Sequence, residues 1–257
     1  MPFCPLPKLK GTMKQKQPSI LIGVTVRNAE AYIERFLFDL SSLLYKKSKI
    51  GFYFLLNDSV DNTEEKLLQF QTINEDENYR FIRVDRFNFN APPDKRNIIR
   101  KSFTEPHLVE LRNKILDKWQ KDEAKYLFMV DADTLLQPDC LKILLAQKKD
   151  VIAPLLAIDF GANWLFQMMN KCQQLTEDGI QLYNRISKKE IDKKEDCFSV
   201  DAIGGGAVLY YRNVIDCRFY NHPQGEFIGQ SANLTKAGFR LWALKSPQIA
   251  IHDMRKI

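Results

Sequence analysis

Asp131 and Asp133, in the stretch YLFMVDADTLLQPDC, are the residues best spaced in this sequence to do chemistry. They stand directly after the apolar run 125–130, which reads as a buried strand. Residues i and i+2 of extended chain point to the same side, so both carboxylates would face one spot. Carboxylates that close repel unless a cation, a donor or a proton relieves them. Oxygen ligands on a loop suit Mg2+ or Mn2+, with phosphate oxygens of a substrate supplying further ligands. The plain alternative is a pair of exposed turn acids, with Asp131 capping the helix that follows.

Other candidates are spread along the chain. Glu226 opens a helical pattern over 226–237 that stops at Gly238. A helix N-terminus favours an ionised carboxylate there, hence a proton acceptor, although a first-turn acid is also ordinary helix chemistry. His252 follows the apolar run 248–251 and could give a nitrogen to the same cation as Asp133, or be structural. Arg112 lies on the polar side of an otherwise apolar helix, where phosphate contact and plain solvation both fit. Gly204-Gly205-Gly206 would let a ligand approach the backbone closely, yet it lacks the spacing and following helix of a dinucleotide loop. Trp164, Trp242 and Phe227 could stack on the face of a ligand or belong to the core.

The elements that must position these residues alternate. Residues 19–28, 49–56, 80–85, 125–130 and 151–157 read as strands. Helical spacing covers 29–47, 63–73, 105–120 and 138–148, with Asp61 or Asn62 placed to cap the second. Pro92-Pro93 marks a loop, and the charge-mixed run 188–196 reads as a solvated loop. After 158 the alternation degrades, with strand character returning at 207–211 and 242–251. This rhythm predicts an α/β domain with a mostly parallel sheet and helices on both faces. Ligands of such sheets sit beyond the carboxyl ends of the strands, where the candidate residues fall.

Composition narrows the classes. With 257 residues, 45% apolar and 27% charged, the chain is an ordinary globular one, neither disordered nor fibrous. Lys plus Arg is 38 against 32 acids, a net charge of +6 that suits a phosphate-bearing small molecule better than duplex DNA. Five scattered cysteines without a CxxC pair read as reduced thiols, which places the chain in the cytoplasm. No run reaches the roughly 18 apolar residues of a membrane span. Residues 1–18 carry Lys8, Lys10, Lys14 and Lys16 with no acid, and read as a flexible basic tail able to touch an anionic membrane surface weakly. Residues 19–257 form the single domain.

Taken in order, these motifs resemble the nucleotide-sugar glycosyltransferases of the GT-A fold, over almost all of 19–253. LLNDSVDNTEE is similar to that family's second strand and turn, HLVELRNKIL to its Arg-Asn helix, and YLFMVDADTLL to its D-x-D strand. VDAIGGGAVLYY resembles the Gly-rich acceptor-side strand, part of a small β element, and GEFIGQSANLTKAG the family's Glu-led helix. The likeness spans the inverting family 2 and the fungal Golgi mannan mannosyltransferases. It implies transfer from a UDP- or GDP-sugar to a hydroxyl of a glycan, lipid or protein, with Mn2+ or Mg2+ and no nucleic-acid partner. Thr25, Arg27, Asn57, Asp58, Arg112 and Asp131 would seat the nucleotide, and Asp131, Asp133 and His252 would hold the metal. Glu226 would act on the acceptor, because Phe227 stands where family 2 places an Asp. A sugar nucleotidyltransferase of the same fold and a non-catalytic nucleotide- or RNA-binding module are the rival readings.

Overall fold

A computed structural model describes residues 17–90, 104–158, 168–245 and 249–252. The basic tail through Lys16, the Pro92-Pro93 loop and Trp164 lie outside the described residues. The first half is built of β1 (Ile20–Val26), α1 (Ile33–Ser41), β2 (Ile50–Leu56), α2 (Thr63–Ile73), β3 (Phe81–Arg86) and α3 (Thr104–Lys121). Then come β4 (Tyr126–Val130), β5 (Thr134–Leu136), α4 (Cys140–Ala146), β6 (Val151–Pro154), β7 (Ala157–Ile158), β8 (Met168–Leu175) and β9 (Gln181–Arg185). The chain continues through α5 (Lys188–Asp192), β10 (Cys197–Val200), β11 (Ala202–Ile203), β12 (Ala207–Tyr211), α6 (Glu226–Lys236), β13 (Leu241–Leu244) and β14 (Ala250–His252).

The main sheet runs β10-β13-β6-β12-β4-β1-β2-β3. β1, β2 and β4 are largely apolar and almost wholly buried because both their faces are covered, as expected of central parallel strands. On one face Ile33, Phe36 and Leu40 of α1 pack with Leu141 and Leu144 of α4. On the other, Leu111, Ile115 and Trp119 of α3 pack with Leu234 of α6. The result is an α/β/α sandwich whose parallel strands β4, β1, β2 and β3 all end on one side. Two small sheets flank it, β11-β8-β9 and β5-β14-β7. No helix of the described residues is long and apolar enough to cross a membrane.

The structure corrects several sequence expectations. α1 is shorter than 29–47: the N–H groups of Ala29 and Glu30 are taken by Thr63 Oγ1 and Asp61 Oδ2, at 2.7 and 3.1 Å, instead of beginning a helix. At the other end Leu44 N–H donates to Pro138 O at 2.7 Å, which turns the chain away. The run 188–196 holds the short helix α5, started by a reciprocal capping box between Ser187 and Glu190 and anchored by buried Ile191. β12 inserts antiparallel between β4 and β6, so the expected run of parallel neighbours is interrupted. Residues 151–157 and 242–251 each divide between two strands in different sheets.

The end of α3 is fastened from β12. Arg212, just past that strand, donates to the carbonyls of Trp119, Gln120, Asp122 and Ala124 at 3.3, 3.0, 2.6 and 2.9 Å. A cation at a helix C-terminus satisfies orphan carbonyls and opposes the negative end of the dipole. This fixes the helix that carries Arg112.

Candidate active site

A cleft of about 270 Å³ opens where β1, β2 and β4 end. β1 supplies Thr25 and the turn after it Arg27; Tyr32 comes from the start of α1 and Asn57 from the end of β2. α3 adds His107 and Arg112, the turn after β4 adds Asp131 and Asp133, and α6 adds Glu226. Larger grooves exist, including one of about 670 Å³ along α2, but there Glu64 is already paired with Arg86 on an open helix face. The smaller cleft is the one where chemistry converges.

Arg112 is its electrostatic centre. The residue is 3% exposed, which excludes the solvated alternative. Its Nη2 donates to Asp131 Oδ1, and its Nε lies 3.7 Å from Glu226 Oε1. Burial works against the guanidinium's charge, but Asp131 and Glu226 outweigh it and hold the arginine above its ordinary range. The neighbouring Tyr32 phenol is pushed far up by burial, then by the charges of Asp133, Asp61 and Asp131. Tyr32 therefore stays protonated beside the carboxylates.

The D-x-D turn is held from the glycine run. Gly206 O accepts from Asp131 N–H at 2.8 Å and from the Thr134 hydroxyl at 3.1 Å. Thr134 N–H returns to Asp131 O at 3.0 Å, closing the turn that presents both side chains to the cleft. β14 pairs antiparallel with β5 so that His252 stands opposite Thr134, one residue from Asp133. The side chain of His252, and so its role as a ligand, lies outside the described residues. Among the described residues no group of three His, Cys, Asp or Glu gathers to hold an ion alone. Asp131 and Asp133 nonetheless offer the hard oxygen donors that Mg2+ and Mn2+ accept, so the residues fit such an ion with further ligands from substrate and water.

Asp58 takes a different place. It adopts φ 42°, its N–H donates to Asn88 Oδ1 at 2.8 Å, and its Oδ2 accepts from Phe89 N–H at 3.0 Å. It thus stitches the turn after β2 to the end of β3 and is not part of the cleft lining. The same loop is latched to the turn after β1, Asn28 N–H to Ser59 Oγ at 3.0 Å and Val60 N–H to Asn28 Oδ1 at 2.9 Å. Asp61 Oδ1 accepts from Thr63 N–H at 3.1 Å, the helix-start role its position suggested. Phe227 is buried and Trp242 lies under Lys149 Nζ at 3.4 Å, so neither ring lines the cleft. Tyr32 and His107 are the polar lining residues that spacing did not single out. Tyr32 reads as one more apolar position of α1, and a lone histidine in α3 carries no signal.

Comparison with known proteins places this geometry in a family. The chain is 29% identical over 148 residues to procollagen galactosyltransferase 1-A of Xenopus laevis, covering 55% of this chain and 23% of that protein. It is 26% identical over 155 residues to human procollagen galactosyltransferase 2, covering 55% and 23%. The chain thus matches under a quarter of the length of these relatives. Among solved structures, GalNAc-T7 with UDP, GalNAc and Mn2+ superposes with a TM-score of 0.59 at 13% identity, over 93% of this chain and 44% of that one. S. aureus TarS 1–349 in complex with UDP-GlcNAc gives 0.58 at 14%, over 93% and 59%. These likenesses show the GT-A fold. The sequence model described as "Glycosyltransferase family 25, N-terminal domain" matches residues 17–223, and the chain belongs to glycosyltransferase family 25.

Proposed function

We propose that the chain transfers a sugar from a nucleotide-sugar, a UDP-sugar before a GDP-sugar, to an acceptor hydroxyl of a glycan, lipid or protein, with Mn2+ or Mg2+. One observation carries this reading: Asp131, Asp133, Arg112 and Glu226 meet in a single cleft at the ends of the parallel strands. The preference for uridine rests on UDP or UDP-GlcNAc in three solved neighbours against GDP-Man in one, and the preference for a metal on Mn2+ in two of them.

Asp131 and Asp133 would hold the cation, and a cation bound there supplies charge neutralisation to the diphosphate leaving group, worth about several kcal/mol. Thr25, Arg27 and Asn57 form the wall on which the nucleotide would lie. Arg112 keeps Asp131 from repelling an incoming diphosphate and adds a fixed positive charge beside it. In the transfer, the acceptor oxygen bonds to the anomeric carbon as the bond to the nucleoside diphosphate breaks. Glu226, ionised at its helix start and steadied by Arg112, is placed to accept the acceptor's proton.

The test is Glu226→Gln, which keeps shape and removes the charge. Nucleotide binding should persist while sugar transfer falls by ~10²-fold or more, the scale of a lost general base. Unchanged transfer would mean the proton leaves elsewhere, and lost nucleotide binding would move Glu226 to the donor side.

A further inference from the structure

Glu226 and Phe227 are the first two residues of α6, after Gly225 at φ 114°, a conformation open to glycine. Glu226 Oε1 stands 3.7 Å from Arg112 Nε, and Arg112 Cζ lies over the Phe227 ring, 4.8 Å from its centroid. That is within the reach of a cation–π contact, and burial strengthens it. Among the described residues only Nη2 of Arg112 donates a hydrogen bond, to Asp131, while Nε and Nη1 have no hydrogen-bond partner and Glu226 stands 3.7 Å from Nε, so the carboxylates alone do not fix the guanidinium's orientation. The Phe227 ring against Cζ restricts that freedom.

The ring is itself locked. Phe219 meets it edge-on at 5.2 Å and 87°, and Asn113, the neighbour of Arg112, pins Phe219 by exchanging hydrogen bonds of 3.0 and 2.9 Å with its backbone. Gly205 also packs against the ring: it sits at φ 97°, and a Cβ there would come 2.5 Å from Phe227 Cδ2. The glycine run that holds the D-x-D turn through Gly206 thus also makes room for this ring. We propose that Phe227 is a positioning residue of the active site: it carries Arg112, and through it fixes Asp131 and Glu226 at their working separation. The inference rests on the reading of the cleft given above.

The experiment replaces Phe227 in the full chain with mono-, di- and trifluorophenylalanine, which keep the ring's shape while stripping negative charge from its face. Three quantities are followed: the Kd for UDP in the presence of Mn2+ by calorimetry, the Arg112 Nε–H resonance of the ligand-free protein, and Tm. The Kd should rise stepwise, about tenfold across the series, with the resonance moving in step and Tm nearly constant. A flat Kd and a fixed resonance overturn the proposal. If the parent binds no UDP with Mn2+, the functional reading falls instead, and the resonance alone decides whether Phe227 holds Arg112. Phe227→Leu, which keeps apolar bulk without a π face, should weaken UDP binding as much as the trifluoro ring; a Leu variant that loses Tm but not affinity counts against the proposal.

Discussion

Arg112→Met removes one buried charge and leaves its two carboxylates facing each other. The methionine keeps most of the length and apolar bulk, so the packing on Phe227 changes little and electrostatics dominate. Breaking a buried ion pair costs about 3–5 kcal/mol. Arg112 is 3% exposed, but Asp131 is 29% and Glu226 13% exposed, so water reaches the orphaned acids and trims the penalty. About 2–4 kcal/mol remains, and at ~2–4 °C per kcal/mol for a domain of this size Tm should fall by about 4–16 °C. The sign reverses for metal. In the parent, Asp131 must be shared between Arg112 and an incoming cation; in the variant both carboxylates are uncompensated. Added Mn2+ should therefore raise Tm more in Arg112→Met than in the parent. Thermal unfolding followed by circular dichroism, with chelator and then with Mn2+, checks both parts. A variant as stable as the parent in chelator, or an equal Mn2+ shift in both, would refute the electrostatic reasoning.

Further outcomes follow from the same structure. Arg212→Ala removes a charged donor from four carbonyls around the end of α3, of which Trp119 O and Ala124 O keep a second donor in Asp122 N–H and Trp119 Nε1, and should cost about 1–3 kcal/mol in denaturant titration. His222, whose Nδ1 accepts from Gln224 N–H at 3.1 Å and whose Nε2 lies 3.0 Å from Gln181 O, is held below its ordinary pKa by burial. The folded state thus prefers it neutral: its contribution is complete above about 6.5 and is lost as pH falls through the lower folded value, a slope that His222→Gln should remove from stability-against-pH curves.

The central frame was legible because its signals are local. β1, β2 and β4 are largely apolar runs, and the rule that ligands lie beyond such strand ends pointed to Asp131 and Asp133, while the family resemblance added Thr25 and Asn57; all four line the cleft. The place of Glu226 at a helix start was legible from the helical spacing after it. Arg112 was half legible: its helix was clear, but its burial depends on partners 19 residues away at 131 and much further at 226, and no periodicity reports them. The bond from Asp58 Oδ2 to Phe89 N–H, across 31 residues, was not legible, because an acid in a turn after a strand looks the same whether or not it ties down a distant backbone group. The antiparallel insertion of β12 was hidden for a related reason. AVLYY announces a buried strand but not its direction, which is set by the glycine turn and by pairing with β4.

Calorimetric titration of UDP into the parent and into Asp133→Ala, each with and without Mn2+, tests the central claim most directly. The cleft lined by Asp131 and Asp133 should give the parent a UDP affinity that rises sharply with Mn2+. Asp133→Ala should keep its fold and its weak metal-free binding and lose the Mn2+ enhancement. Equal enhancement in both proteins, or UDP binding by the parent that ignores Mn2+, would contradict the assignment of this cleft to a metal-bound nucleotide-sugar.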